Sequence, residues 1–278
     1  MRAENLLQQR TEKCTLGCPV LDRFLRGGVP CNSVTELVGE SGSGKTQLCL
    51  QLALSAQSTL YIYTEFPFPI RRLHQLSQRA AVDDPRSPSF DPCDSVFLRS
   101  VSSANELLRI FPQIEDFLSF RRTRLPVSVI VVDSIAALFR SEFDNNAVDL
   151  RRRSSLFFKI SGELKSLAKR FGLAVVVTNQ VVDLIGDEMM MMNSNNEMCT
   201  SGRRVCPALG LAWANCVNSR VFLSKEVDDG GDGGVTRTRK LSVVFAPHLP
   251  QSSCQFVITG DGVFGVDHQT LQGRGANV

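Results

Sequence analysis

The sequence predicts an α/β fold: a mostly parallel central sheet flanked by helices, with antiparallel strands at its carboxyl-terminal edge. Three observations carry this. Short apolar runs rich in β-branched residues alternate with stretches of helical period; the alternation stops after Gln180; and the carboxyl-terminal part holds strand patterns joined by turn-rich segments. With 278 residues and 43% hydrophobic content, the chain can fill a sizeable core, which excludes disorder of the whole.

Taken in order, residues 1–15 read as a short polar extension and 16–278 as the core, and the extension has no continuous apolar run of signal-peptide length. SVTELVG (Ser33–Gly39), LYIYTE (Leu60–Glu65), VSVIVVDS (Val127–Ser134) and AVVVTNQ (Ala174–Gln180) read as strands buried on both faces. Between them TQLCLQLALSAQ, SSANELLRIFPQIEDFLSF and LRRRSSLFFKISGELKSLAKRF repeat their apolar positions at helical spacing. Val181–Cys206 is long, polar in its second half and without period, so it is expected to be a mobile, functional loop. NSRVFLSK, RKLSVVFA and CQFVITGDGVFGV then read as three further strands, separated by DDGGDGG and PHLPQSS.

The net charge of +3 is mild, so contact with nucleic acid has to come from local patches. Nine cysteines without a C-x-x-C pair, and three histidines away from any cysteine cluster, suggest neither a disulfide framework nor a zinc site. Reduced thiols fit a nuclear or cytoplasmic location. RRTR (Arg121–Arg124) reads either as a nuclear address or as a solvated basic face. No run of about 18 apolar residues occurs, so no membrane is expected among the partners.

GESGSGKT fits G-x-x-x-x-G-K-[ST] in full, after a strand and before a helix. Gly39, Glu40, Ser41, Gly42, Ser43, Gly44, Lys45 and Thr46 form the expected phosphate cradle. Gly42 and Gly44 let backbone N–H groups converge, Lys45 reaches the β- and γ-phosphates, and the Thr46 hydroxyl serves Mg²⁺. Asp133, closing an apolar strand, is either the second Mg²⁺-site carboxylate or the start of a turn. Glu65, closing another, either polarises an attacking water or is merely solvated. Gln180 stands where open α/β sheets hold ligands, and a neutral amide there can sense the γ-phosphate and pass the signal to the loop that follows.

In this order GESGSGKTQLCLQLA, YIYTEFPFPIRRL, VIVVDSIAALFRSEF, FGLAVVVTNQV and GLAWANCVNSRVFL resemble the RecA-type ATPase core of the eukaryotic strand-exchange recombinases. LGCPVLDRFLRGGVP, LFRSEFDN and APHLPQSSC resemble its paralogue branch of X-ray-repair cross-complementing recombinases, in wording nearest the plant members, and the likeness runs from about Leu16 to Val266. The resemblance implies a RecA-like P-loop ATPase core that binds ATP and Mg, with Glu65 activating water, Asp133 at the metal, Gln180 as γ-phosphate sensor and Arg72 stacked on adenine. It implies DNA-facing loops near 140–153 and 181–206, with Arg140, Arg203 and Arg204 on backbone phosphates. Arg151–Arg153 read as DNA contacts or as a solvated helix face, and Met189–Met192 as a soft contact surface or an incidental insert. The implied setting is homologous recombination repair of double-strand breaks, and meiotic recombination, in the nucleus. The implied partners are single-stranded DNA, the main strand-exchange recombinase and the C-type recombinase paralogue, in a hetero-oligomer.

The sequence also departs from the family pattern. Only about 15 residues stand before the core, so a core-only form is expected, without the family's helical DNA-binding domain and its F-x-x-A docking motif; FGLA at Phe171–Ala174 fits that spacing but spans a helix end and a buried strand. TEFPF replaces the usual TEGTF, so Pro67 and Pro69 stiffen the turn after Glu65. Phe245 and Ala246 occupy the region where active recombinases place an aspartate over a neighbour's ATP. These changes favour a nucleotide-controlled joint that hydrolyses slowly. Competing readings are an ATP-bound interaction scaffold with negligible hydrolysis, a RecA-like helicase core, and a metabolic P-loop kinase, which lacks a recognisable acceptor pocket or arginine-rich lid.

Overall fold

Valine and isoleucine runs that are apolar on both sides need cover on both sides, and they become the middle of a nine-stranded sheet. The computed structural model describes residues 12–65, 67–82, 91–120, 125–140, 143, 146–184, 198–226 and 238–267. In chain order the first half holds β1 (Lys13–Cys14), α1 (Pro19–Phe24), β2 (Val29–Pro30), β3 (Ser33–Gly39), α2 (Lys45–Ser55), β4 (Thr59–Tyr63), α3 (Ile70–Val82), β5 (Val96–Ser100), α4 (Ala104–Ser119) and β6 (Val129–Asp133). The second half holds α5 (Ala147–Phe171), β7 (Ala174–Asn179), β8 (Val181–Asp183), β9 (Met198–Thr200), β10 (Arg203–Pro207), α6 (Gly210–Ala214), β11 (Ser219–Lys225), β12 (Arg239–Phe245), β13 (Ser253–Ile258) and β14 (Val263–Gly265).

The sheet order is β14-β13-β12-β11-β3-β7-β6-β4-β5. From β11 to β5 every neighbour pair is parallel, and β12, β13 and β14 continue antiparallel at the edge. One face packs on α4, α5 and α6, with Leu107, Phe157, Ile160 and Trp213 in its core. The other packs on α1, α2 and α3, around Leu21, Leu50, Leu73 and Phe256. All six residues of β7 are buried, and each fully buried valine contributes about 1.5–3 kcal/mol. The helix ends follow local chemistry. Ser103 accepts from the Glu106 N–H at the start of α4, Asn146 accepts from the N–H groups of Val148 and Asp149 at the start of α5, and Gly172 ends α5 at φ 68.

Three expectations need correction. β5 and α3 are elements that the strand and helix patterns above do not include, although the apolar positions of α3 do recur at helical spacing. CQFVITGDGVFGV is a hairpin of β13 and β14 turned at Thr259–Gly262, not one strand, and β11 joins β3 in parallel, so only the last three strands are antiparallel edge. Half of the expected mobile loop is ordered: β8, β9 and β10 form a three-stranded antiparallel sheet in the order β8-β10-β9. Thr200 pairs with Arg203 across Ser201 (φ 50) and Gly202 (φ 72), the two consecutive positive φ values of a tight hairpin turn. Arg151–Arg153 lie in the opening turns of α5, as the helical spacing of LRRRSSLFFKISGELKSLAKRF predicts. The Met189–Met192 run, RRTR at 121–124, the DDGGDGG turn, Phe66 and much of 141–145 lie outside the described residues. Among the described residues no helix is long and apolar enough to cross a membrane.

Candidate nucleotide site

The cradle forms because β3, buried beside β7 and β11, stops at Gly39 and the chain must reverse into α2 within a few residues. Gly44 makes the turn at φ 108, a conformation that L side chains rarely adopt. Lys45 opens α2, and its Nζ donates to the carbonyls of Gly39 (2.7 Å) and Glu40 (2.8 Å). Burial lowers the Lys45 pKa from its ordinary value, and the negative charge of Asp133 opposes that shift.

Asp133 ends β6 with both carboxylate oxygens engaged. Oδ2 accepts from Thr46 Oγ1 at 2.8 Å and from the Tyr61 hydroxyl at 2.7 Å, and Oδ1 accepts from Thr178 Oγ1 at 2.6 Å. Burial, with Asp133 next to it, pushes the Tyr61 pKa well above its usual value, so the phenol stays a donor. The peptide between Asp133 and Ser134 is cis. A threonine hydroxyl and an oriented carboxylate beside a lysine ammonium make a hard oxygen donor set of the kind Mg²⁺ and a polyphosphate take together.

The cleft around this pair is lined by Ser41, Gly42, Lys45, Thr46, Glu65, Arg72, Asp133 and Gln180, together with Gln47, Arg239, Ile258 and Thr259. Arg72 is fixed in its plane by four bonds: Nε to Gln47 Oε1, Nη1 to Gln75 Oε1 and the Gly260 carbonyl, and Nη2 to the Thr259 carbonyl. These use the edge of the guanidinium and leave its faces for a flat ring. Gln180 stands between β7 and β8, its N–H bonded to Asn179 Oδ1 and its carbonyl to the Ala208 N–H. Glu65 lies just beyond β4, more than half exposed, and its Oε1 is 3.3 Å from Arg140 Nη2.

The structure thus gathers Lys45, Thr46, Asp133, Glu65, Arg72 and Gln180 around one cleft and sets Arg203 apart. Arg203 is held by Glu40 at 3.0 Å and by both oxygens of Asp183 at 3.0 Å. Arg204 sits in β10 opposite Cys199. Arg153 reaches the Ala208 carbonyl at 3.2 Å and lies over the Phe157 ring, and Arg152 lies over Phe143. Phe245 sits under the Arg220 guanidinium, and in FGLA Leu173 and Ala174 are fully buried, in keeping with a structural role for that stretch.

Several contributors had no sequence signal. Tyr61 and Thr178 approach Asp133 from neighbouring strands, and Arg239 and Thr259 arrive from the carboxyl-terminal strands. Beneath the cleft, fully buried Glu36 pairs with Arg220 Nε and accepts from Asn179 Nδ2 at 2.7 Å, one residue before Gln180. His74 Nδ1 lies 3.7 Å from Cys93 Sγ with Asp91 adjacent, so the fold brings a histidine to a cysteine and an aspartate that follow it by 17 or more positions.

A strand–cradle–helix unit whose threonine bonds a strand-end aspartate, in a mainly parallel sheet, defines a RecA-like P-loop nucleotide-binding protein. The chain belongs to the Rad51 family, whose model matches residues 8–266. It is 48% identical to the DNA repair protein XRCC3 homolog of Arabidopsis thaliana, over 96% of this chain and 98% of that one. It is 35% identical to the DNA repair protein XRCC3 of Mus musculus, over 96% of this chain and 80% of that one. Identity to the DNA repair protein RAD51 of Saccharomyces cerevisiae is 34%, over 90% of this chain and 58% of that protein. The paralogue branch expected from the motifs is the one these similarities support.

Proposed function

We propose that this recombinase paralogue of homologous-recombination DNA repair binds ATP with Mg²⁺ in the described cleft, and uses the nucleotide first to control assembly and only slowly as fuel. The observation that carries the reading is the Thr46–Asp133 bond at 2.8 Å beside Lys45. Thr46 and Asp133 would hold the metal, Lys45 the β- and γ-phosphates, and the faces of Arg72 the adenine. Bound Mg²⁺ supplies Lewis acidity to the phosphate oxygens. Glu65 would accept a proton from the attacking water, and Gln180 would sense the γ-phosphate. Slow turnover is favoured by the Arg140–Glu65 pair, which engages that carboxylate, and by the rigid turn after it, where Phe68 packs on Tyr61 and Tyr63 between two prolines. Arg140 and Arg204 are the candidates for DNA backbone phosphates, with Arg203 available to DNA once it leaves its acidic partners.

The partners in this reading are the C-type recombinase paralogue, the main strand-exchange recombinase and single-stranded DNA, in the nucleus, with a role in meiosis. The test is co-purification of the chain with candidate paralogues in ATP, in ADP and without nucleotide, for the wild type and Lys45→Ala. The reading expects capture to depend on ATP and Lys45→Ala to lose both capture and repair. Full repair with ATP binding abolished rejects it. A pure scaffold, the second reading, predicts that ATP-dependent capture and repair both survive Glu65→Gln.

A further inference from the structure

The second residue of the phosphate loop has a role that the motif does not require. The Glu40 side chain is 10% exposed, and it does not line the cleft. Its Oε1 accepts from Thr200 Oγ1 at 2.6 Å and Ser201 Oγ at 2.5 Å, with Lys225 Nζ at 3.8 Å, and its Oε2 accepts from Arg203 Nη2 at 3.0 Å. These donors are the turn of the β9–β10 hairpin and the residue after it. Arg203 also bonds both oxygens of Asp183 in β8, so one carboxylate holds the hairpin directly and β8 at one remove. The backbone carbonyl of the same Glu40 accepts from Lys45 Nζ at 2.8 Å.

We propose that Glu40 is a positioning residue through which nucleotide occupancy sets the position and order of the β8–β10–β9 sheet. The inference rests on the nucleotide reading above. A phosphate that takes the Lys45 ammonium competes with the Glu40 carbonyl for it, which changes the constraint on the backbone at residue 40. The carboxylate meanwhile does not release the hairpin, because a nearly buried charge that loses its donors is left uncompensated. A shift at residue 40 is therefore delivered to Thr200–Arg203 rather than absorbed. Linkage makes this reciprocal: a polyanion that draws Arg203 away from Glu40 alters nucleotide affinity by the same factor.

The experiment is hydrogen exchange of the full chain with and without ATP·Mg²⁺, alongside binding of a fluorescent ATP analogue. In the wild type, amides between Thr200 and Val205 should change exchange rate by about 5-fold or more on nucleotide binding. The double variant Thr200→Val with Ser201→Ala should bind nucleotide within about 3-fold of wild type but lose that response. Thr200→Ser, which retains the hydroxyl, should keep the response, and Ser201→Ala alone, a milder change should the double variant misfold, should weaken it. A double variant that keeps the wild-type response overturns the inference, as does a wild type that binds nucleotide with no change at the hairpin or, where only Ser201→Ala folds, an undiminished response there. A wild type that binds no nucleotide overturns the proposed function instead, and the inference falls with it.

Discussion

Arg140 Nη2 lies 3.3 Å from Glu65 Oε1, which joins the segment after β6 to the carboxyl end of β4. Both side chains are 57% exposed, so the pair contributes at most about 1 kcal/mol and yields readily to a competing phosphate. An arginine expected on DNA and a carboxylate expected on water are therefore one exchangeable contact. Glu65→Gln should lower phosphate release from ATP by about 100-fold or more while leaving binding of a fluorescent ATP analogue in place. Arg140→Ala should change thermal stability by less than about 1 kcal/mol and remove the difference in hydrolysis with and without single-stranded DNA.

The Tyr61 hydroxyl donates to Asp133 Oδ2, the oxygen that also accepts from Thr46, and so orients this carboxylate. Tyr61→Phe should weaken the Mg²⁺ dependence of nucleotide binding by about 10–100-fold, read from a Mg²⁺ titration of analogue fluorescence. Nucleotide binding without metal should be unchanged.

Glu36 and Arg220 form a buried ion pair, so removing one partner leaves the other charge stranded. Glu36→Ala should destabilise the chain by about 3–5 kcal/mol in urea unfolding. Replacing Glu36 and Arg220 together by methionine should recover much of that loss, because a matched apolar pair strands no charge.

Burial alone would raise the Glu40 pKa, but hydrogen bonds from Ser201 and Thr200, with the charges of Lys225 and Arg203, bring it below the ordinary value of 4.5. A carboxyl depressed in the folded state contributes stability that is full above its unfolded pKa and is lost as pH falls through the folded one. The stability difference between wild type and Glu40→Gln, measured in urea from about pH 6 to about pH 3.5, should shrink toward the acid end. A difference that grows on acidification contradicts this electrostatic account.

What could be read in advance was what neighbours in sequence determine. The valine runs of β6 and β7 announce strands covered on both faces, and GESGSGKT encodes its own turn in its glycines. The unread part depends on strand order and register. Thr178 and Tyr61 converge on Asp133 only because β6 lies between β7 and β4. Arg72 and Thr259 are 187 positions apart and meet because β13 returns beside the cradle. Two local signals did exist: Ser201-Gly202 marks a tight turn and Gly260-Asp261-Gly262 a hairpin. The small polar strands flanking the first, and the continuous apolar pattern around the second, hid them.

The clamp on Thr259 and Gly260 spreads the nucleotide seat from residue 39 almost to the end of the described chain. A shortened product that stopped near residue 250, through an early stop codon or alternative splicing, would keep every recognisable ATPase motif yet lack the wall against which Arg72 is braced. Counting motifs would score such a product as competent, whereas nucleotide retention would not.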